Sequence, residues 1–112
     1  MKRGDIWTVS GGTDYAGKPR PVVIIQQDGY EALDSVTVCL LTSDAAAVPL
    51  TRPTIEPSGT NGLRSASQLM VDKLTTVPKT KLGRRVGRLA EEDMLRLNRA
   101  ILVFLGIAAP RS

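Results

Sequence analysis

Four β-branched residues in succession, Val22-Val23-Ile24-Ile25, carry no polar group and read as a strand buried on both faces. Two prolines, Pro19 and Pro21, flank Arg20 just ahead of that run. Each proline fixes its own φ and pushes the preceding residue towards extended geometry, so Arg20 is held stiffly at the mouth of the buried strand. A second apolar run, Val36-Thr37-Val38-Cys39-Leu40-Leu41, ends in Thr42-Ser43. The two runs call for a sheet that is covered on both sides.

The rest of the chain fits that requirement. Strands are expected at 6–9 and 86–89 beside those at 22–26 and 36–42, with 52–57 limited to a short or edge strand because its prolines cannot donate to a ladder. Between 66 and 77 a partial alternation places Gln68, Met70 and Asp72 on one face, and Ser67, Leu69 and Val71 on the other. Residues 10–18 and 44–48 read as loops, and Asn61-Gly62 is the strongest turn dipeptide in the chain. Arg3-Gly4-Asp5 reads as a turn before the first strand, not as an adhesion motif. One helix is expected at 91–105, with Glu91, Glu92 and Asp93 in its first turn and Gly106 as its stop. Met94, Leu97, Ile101, Phe104, Leu105 and Ala108 share one face, widened by Leu95 and Leu102, a stripe broad enough for a core and part of a subunit contact. At 112 residues this describes one domain, 1–112. The fold class is mainly β with a C-terminal helix, a small, strongly bent antiparallel barrel packed against that helix.

Composition narrows the chemistry. The chain contains no histidine and a single cysteine, Cys39, which reads as a small core residue. The commonest zinc ligand and the usual general base are therefore both missing, no intrachain disulfide can form, and no metal or cofactor is expected. The longest apolar stretch, 100–109, is too short to span a bilayer, and with no N-terminal signal pattern the expected location is the cytoplasm. Aromatic residues make up 4% of the chain, so rows of stacked bases are not available, although Tyr15 and Tyr30 can each stack one base. Net charge is +4. Between 57 and 90 the basic residues Arg64, Lys73, Lys79, Lys81, Arg84, Arg85 and Arg88 face a single acid, Asp72, a distribution suited to binding a polyanion.

Taken in order, Arg3-Gly4-Asp5-Ile6-Trp7, Arg20-Pro21-Val22-Val23-Ile24, Leu41-Thr42-Ser43, Asn61-Gly62-Leu63-Arg64, Ser67, Val71-Asp72 and Gly87-Arg88-Leu89 before a helix with Asn98 resemble the MazF/PemK family of toxin endoribonucleases. The resemblance covers nearly the whole chain. It implies an SH3-like barrel of the MazF/PemK/CcdB type, a homodimer, and cleavage of single-stranded RNA at short sequences, held in check by a cognate antitoxin protein. By the same resemblance Arg20 and Thr42 are the main catalytic residues and Ser67 and Asp72 contribute to the site. RNA contacts are expected from Lys18, Ser43, Ser67, Gln68 and Lys73. Met70 stands where some PemK-type members carry an arginine, and Lys73 where many carry glutamine, so neither that proposed acid nor the family's sequence preference is carried over.

The chemistry asked of these residues is metal-independent attack of the RNA 2′-hydroxyl on its neighbouring phosphate, leaving a 2′,3′-cyclic phosphate and a 5′-hydroxyl. A guanidinium offers a permanently charged fork to phosphate oxygens, which suits Arg20 to stabilising charge and not to carrying protons. Thr42 can donate to the same phosphate. Asp72, if desolvated, would have a raised pKa and act as base; its alternative is a salt bridge to Arg64 or Lys73. For Arg20 the alternative is an ion pair with Asp5 or Asp28. Two other functions fit a small basic barrel: a CcdB-like gyrase inhibitor, and a non-catalytic nucleic-acid-binding module.

Overall fold

The computed structural model describes residues 1–10, 18–44 and 52–109. The expected loops at 10–18 and 44–48, and Tyr15, fall mostly or wholly outside these segments. Seven strands and one long helix follow in order: β1 (Asp5–Val9), β2 (Arg20–Ile24), β3 (Ser35–Thr42), β4 (Thr54–Ile55), β5 (Ser67–Leu69), β6 (Thr75–Pro78), β7 (Leu82–Arg88) and α1 (Glu91–Phe104). All pairings are antiparallel, in the order β4-β5-β3-β2-β1-β7, with β6 also on β3. The sheet curls into a half-barrel with α1 against it, the fold class read from the sequence.

β2 lies at the centre, as its composition requires. It pairs with β1 on one side, Trp7 with Val22 and Val9 with Arg20, and with β3 on the other, Val22 with Leu40 and Ile24 with Val38. Its side chains enter two separate cores. Val23 joins Ile6, Cys39, Leu41, Leu69 and Leu97 on the face covered by α1, whereas Val22 and Ile24 join Val9, Val36 and Val38 on the concave face closed by Val77 and Leu82. Directly opposed residues of antiparallel strands share a face, so the even-numbered residues of β3 line the concave side and the odd-numbered ones the helix side.

The segment expected as one strand over 66–77 is broken. Its alternation survives, with Ser67, Leu69 and Val71 buried and Gln68, Met70 and Asp72 half-buried, but Met70 leaves extended geometry (φ −85°, ψ 72°) and a 3-10 turn spans Val71–Lys73. The cause lies in β3. Its C-terminal half pairs with β5 (Leu41 with Leu69) and its N-terminal half with β6 (Val36 with Val77), and the register slips by three residues between them, the length of that turn. β7 is longer than the 86–89 expected, starting at Leu82. The helix stripe is narrower than expected: Leu97 and Ala100 are buried and Met94 and Ile101 pack beside them, while Leu95, Leu102, Phe104 and Leu105 are exposed.

The Asn61-Gly62 turn is a structural hub. The buried Asn61 side chain accepts from the amides of Ser58 and Leu63 through Oδ1 (both 2.9 Å) and donates through Nδ2 to the carbonyl of Glu56 (2.8 Å). Gly62 has φ +68°, in the left-handed region that favours glycine. The turn rests directly on Gly87 of β7, where a Cβ would stand 2.5 Å from the Asn61 carbonyl and from Thr60 O. Gly87→Ala is therefore expected to cost roughly 1–3 kcal/mol by forcing backbone apart. Gly59→Ala, which meets no atom within 4 Å, should stay within about 0.5 kcal/mol of wild type. Urea unfolding of the two variants checks the contrast.

Candidate functional site

A cleft of about 660 Å³ opens where β2 begins, on the helix-side face of the sheet. Its floor comes from strand residues of that face, Thr8 and Pro21, which oppose one another, with Leu41 and Ser67. The turn that Asn61 organises supplies one wall, including Leu63 and Arg64, and β7 supplies another through Gly83 and Arg84. Thr8 Oγ1 accepts the Arg84 amide (3.0 Å), which fixes that stretch of β7 against β1. Lys18, Arg20, Arg64 and Arg84 all border the cleft, and its described lining contains no carboxylate. Four cations around a cleft with an uncharged floor focus a positive potential on an anion.

Arg20 also belongs to a second arrangement. The register that joins Val22 to Leu40, carried two residues further, sets Arg20 across from Thr42. Thr42 in turn pairs with Gln68, and Gln68 with Thr54. Arg20, Thr42, Gln68 and Thr54 thus form one transverse row over four strands, on the face opposite to the floor of the cleft. Thr42 is half-buried, and its Oγ1 accepts the Asp44 amide (3.1 Å), leaving the hydroxyl proton free to be donated. That polar row follows from sheet register alone.

The residues singled out in the sequence therefore fall into three groups. Lys18, Arg20, Ser43 and Ser67 line the cleft together, with Ser67 Oγ donating to Ser65 O (3.0 Å). Thr42 and Gln68 share the transverse row with Arg20. Asp72 and Lys73 sit apart from both, on the 3-10 turn after β5.

The expectation of a raised Asp72 pKa is reversed. Arg52 grips the carboxylate with both arms of its fork, Nε to Oδ1 at 2.9 Å and the second nitrogen to Oδ2 at 3.1 Å. That bidentate bond holds the Asp72 pKa below its ordinary value, over a smaller opposing effect of burial. Arg52, not the Arg64 or Lys73 foreseen, is the salt-bridge partner. The acids considered as partners for Arg20 have other bonds: Asp5 accepts the Lys2 amide and pairs with Arg85 at 3.4 Å, and Asp28 accepts the Arg3 amide. Cys39 is fully buried, its thiol pushed up to about 12 first by burial and then by the Asp72 charge, partly offset by a backbone hydrogen bond at Met70. It is a core residue.

Arg84 was visible in the sequence only as a member of a basic segment, Arg64 also as the end of the Asn61-Gly62-Leu63-Arg64 motif and as a possible partner of Asp72, and neither was named as a site residue; Arg52 was not singled out. Arg64 and Arg84 are selected by the Asn61 turn and the Thr8 bond, contacts that join residues far apart in the chain. Among the described residues no group of three or more His, Cys, Asp or Glu side chains is placed to hold a metal ion, and no helix is long and apolar enough to cross a membrane.

Residues 2–105 match the family model for the PemK-like, MazF-like toxins of type II toxin-antitoxin systems. The chain belongs to this family. It is 56% identical over 108 residues to a probable endoribonuclease MazF of Mycolicibacterium smegmatis, covering 96% of this chain and 99% of the relative. Its fold matches the Mycobacterium tuberculosis toxin MazF-mt6 with a TM-score of 0.75 at 25% identity, over 90% of this chain and 96% of that one. It also matches a mycobacterial endoribonuclease solved in complex with its cognate antitoxin, with a TM-score of 0.79 at 20% identity, over 98% of this chain and 99% of that one. The MazF-like family and the curled-sheet fold are thus established together.

The Arg52–Asp72 clamp has a pH signature. A depressed carboxylate pKa contributes stability that is present above the unfolded value, near 3.9, and is lost as pH falls through the folded value. Asp72→Asn should be destabilised relative to wild type by a constant amount above about pH 5, with the gap shrinking below about pH 4. Urea midpoints of both proteins between pH 3 and 7 measure it.

Proposed function

We propose that this MazF-like chain is an endoribonuclease toxin, the activity that its relatives' names give for them, and that its substrate is single-stranded RNA. The observation that supports the reading most strongly is the placement of Arg20, which borders the four-cation cleft and lies at the same end of the sheet as Thr42, each two residues beyond the Val22–Leu40 pair. An RNA strand following the cleft would neutralise its phosphates on Lys18, Arg64 and Arg84 and present one phosphate to Arg20.

The reaction is then an internal transfer. The 2′-hydroxyl gives up its proton to water as its oxygen bonds to phosphorus, the bond from phosphorus to the 5′-oxygen breaks, and the leaving oxygen takes up a proton from water, giving a 2′,3′-cyclic phosphate and a 5′-hydroxyl without a metal. Arg20 stabilises the extra negative charge on the phosphoryl oxygens. Thr42 donates a hydrogen bond to the same group or orients the 2′-hydroxyl. Ser43, Ser67 and Gln68 offer further contacts to the strand, with Lys73 an outlying one. Asp72, ion-paired with Arg52 and with its pKa lowered by that pairing, is better suited to anchoring the chain just before β4 than to taking the 2′-proton. Within this proposal the chain acts in the cytoplasm as a homodimer, restrained by a cognate antitoxin. The exposed Leu95, Leu102, Phe104 and Leu105 of α1 and the residue after it provide apolar surface for such protein contacts.

Purified protein incubated with a long single-stranded RNA in EDTA tests the reading. Cut products with cyclic phosphate ends are expected, slowed by about two to three orders of magnitude in Arg20→Ala. Intact RNA, or salt-sensitive binding without products, would reject catalysis. The cationic cleft makes a separate prediction. Each of Arg64→Gln and Arg84→Gln should lower the slope of log affinity against log salt by roughly 0.7, whatever the RNA sequence, as filter binding of an Arg20→Ala background can read.

A further inference from the structure

Arg20 borders two cavities, not one. Across the sheet from the cationic cleft lies a smaller depression of about 270 Å³ on the concave face. Its walls are aliphatic, built from Val22, Val38, Leu40 and Val77, and its rim carries Ser10, Thr75 and Lys81 beside Arg20. The walls belong to the second core cluster, so the depression is backed by packed, rigid strands.

We propose that this depression is a base-reading pocket, taking one nucleobase of the RNA strand whose phosphate rests on Arg20. The inference rests on the endoribonuclease reading above and adds to it where specificity is read. Three observations support a base as occupant. The volume lies just below the roughly 300–1,000 Å³ of pockets for drug-sized ligands, which suits a single planar ring system. Continuity through Arg20 means that a phosphate on one side of the guanidinium places the attached nucleotide within reach of the other, and a guanidinium plane is itself a stacking surface for an unstacked base. The rim groups differ in what they offer: the Thr75 hydroxyl and the Lys81 ammonium can donate to base carbonyls and ring nitrogens, Ser10 Oγ, whose proton goes to Lys81 O (3.3 Å), can accept from a base amino group, and the apolar walls hold no charge to repel a neutral base.

Thr75 is the place to test it. It is exposed on β6 opposite Val38, so Thr75→Trp fills the pocket mouth without entering the core, and tryptophan is well tolerated in strands. Methyl NMR of the full chain is titrated with uncleavable single-stranded 2′-O-methyl hexamers of uridine, cytidine or adenosine, and with an abasic hexamer of the same phosphate count. At least one base-bearing hexamer should shift the methyls of Val22, Val38, Leu40 and Val77, and bind about tenfold or more tighter than the abasic strand. Thr75→Trp should remove that difference and leave abasic binding unchanged. Equal wall shifts and affinities for base-bearing and abasic strands would overturn the pocket. On a long RNA, Thr75→Trp should also change which base is preferred next to the cut. Cutting with unaltered preference overturns the pocket and leaves the nuclease intact, whereas absence of cutting by wild type rejects the nuclease and leaves the titration to decide the pocket.

Discussion

Three residue pairs, Val22 with Leu40, Val23 with Cys39 and Ile24 with Val38, join the two central strands, and they bring the ends that carry Arg20 and Thr42 to the same edge of the sheet. A slip of one residue in that register would exchange the two core faces, moving Val23 out from under α1 and Val22 and Ile24 out of the concave core. Both faces of β2 are buried against different clusters, so such a slip would expose apolar surface on each side at once. The register is thus fixed by burial. What it also fixes, two residues further on, is a guanidinium facing a hydroxyl at the open end of the sheet.

That end is where the sheet cannot be apolar. Pro21 removes a backbone donor, Pro19 precedes the strand, and Arg20 is exposed although it pairs with Val9. The Asn61 turn closes in from one side, seated on Gly87, and Thr8 secures Arg84 from another. Cations that would repel one another in isolation are held together by a frame of neutral contacts. Their mutual repulsion is relieved when an anion enters, which couples binding to the electrostatics of the cleft.

Much of this was legible in the chain. The four β-branched residues after Arg20 announced a doubly buried strand because no other placement hides them, and the partial alternation from Ser67 to Asp72 predicted burial correctly even where the strand itself breaks. The break was hidden because it answers a register change on β3, a partner some thirty residues away. The Arg52 clamp was hidden for the same reason: Asp72 advertises a need for a cation but not which of several will meet it. On α1 the apolar stripe overstated the core, since the half-barrel is wide enough only for Met94, Leu97, Ala100 and Ile101, and the sequence alone holds no measure of that width. Arg84 lies on an edge strand where glycine and arginines depress strand propensity, so the start of β7 carried little signal.

The central claim is that Arg20 and Thr42 act on one phosphate because the register makes them neighbours. A double-mutant cycle with Arg20→Ala and Thr42→Val, read as single-turnover cleavage of one RNA, tests that directly. The account predicts strong coupling, with the double variant little slower than Arg20→Ala alone. Fully additive losses would contradict it, placing the two side chains in separate roles.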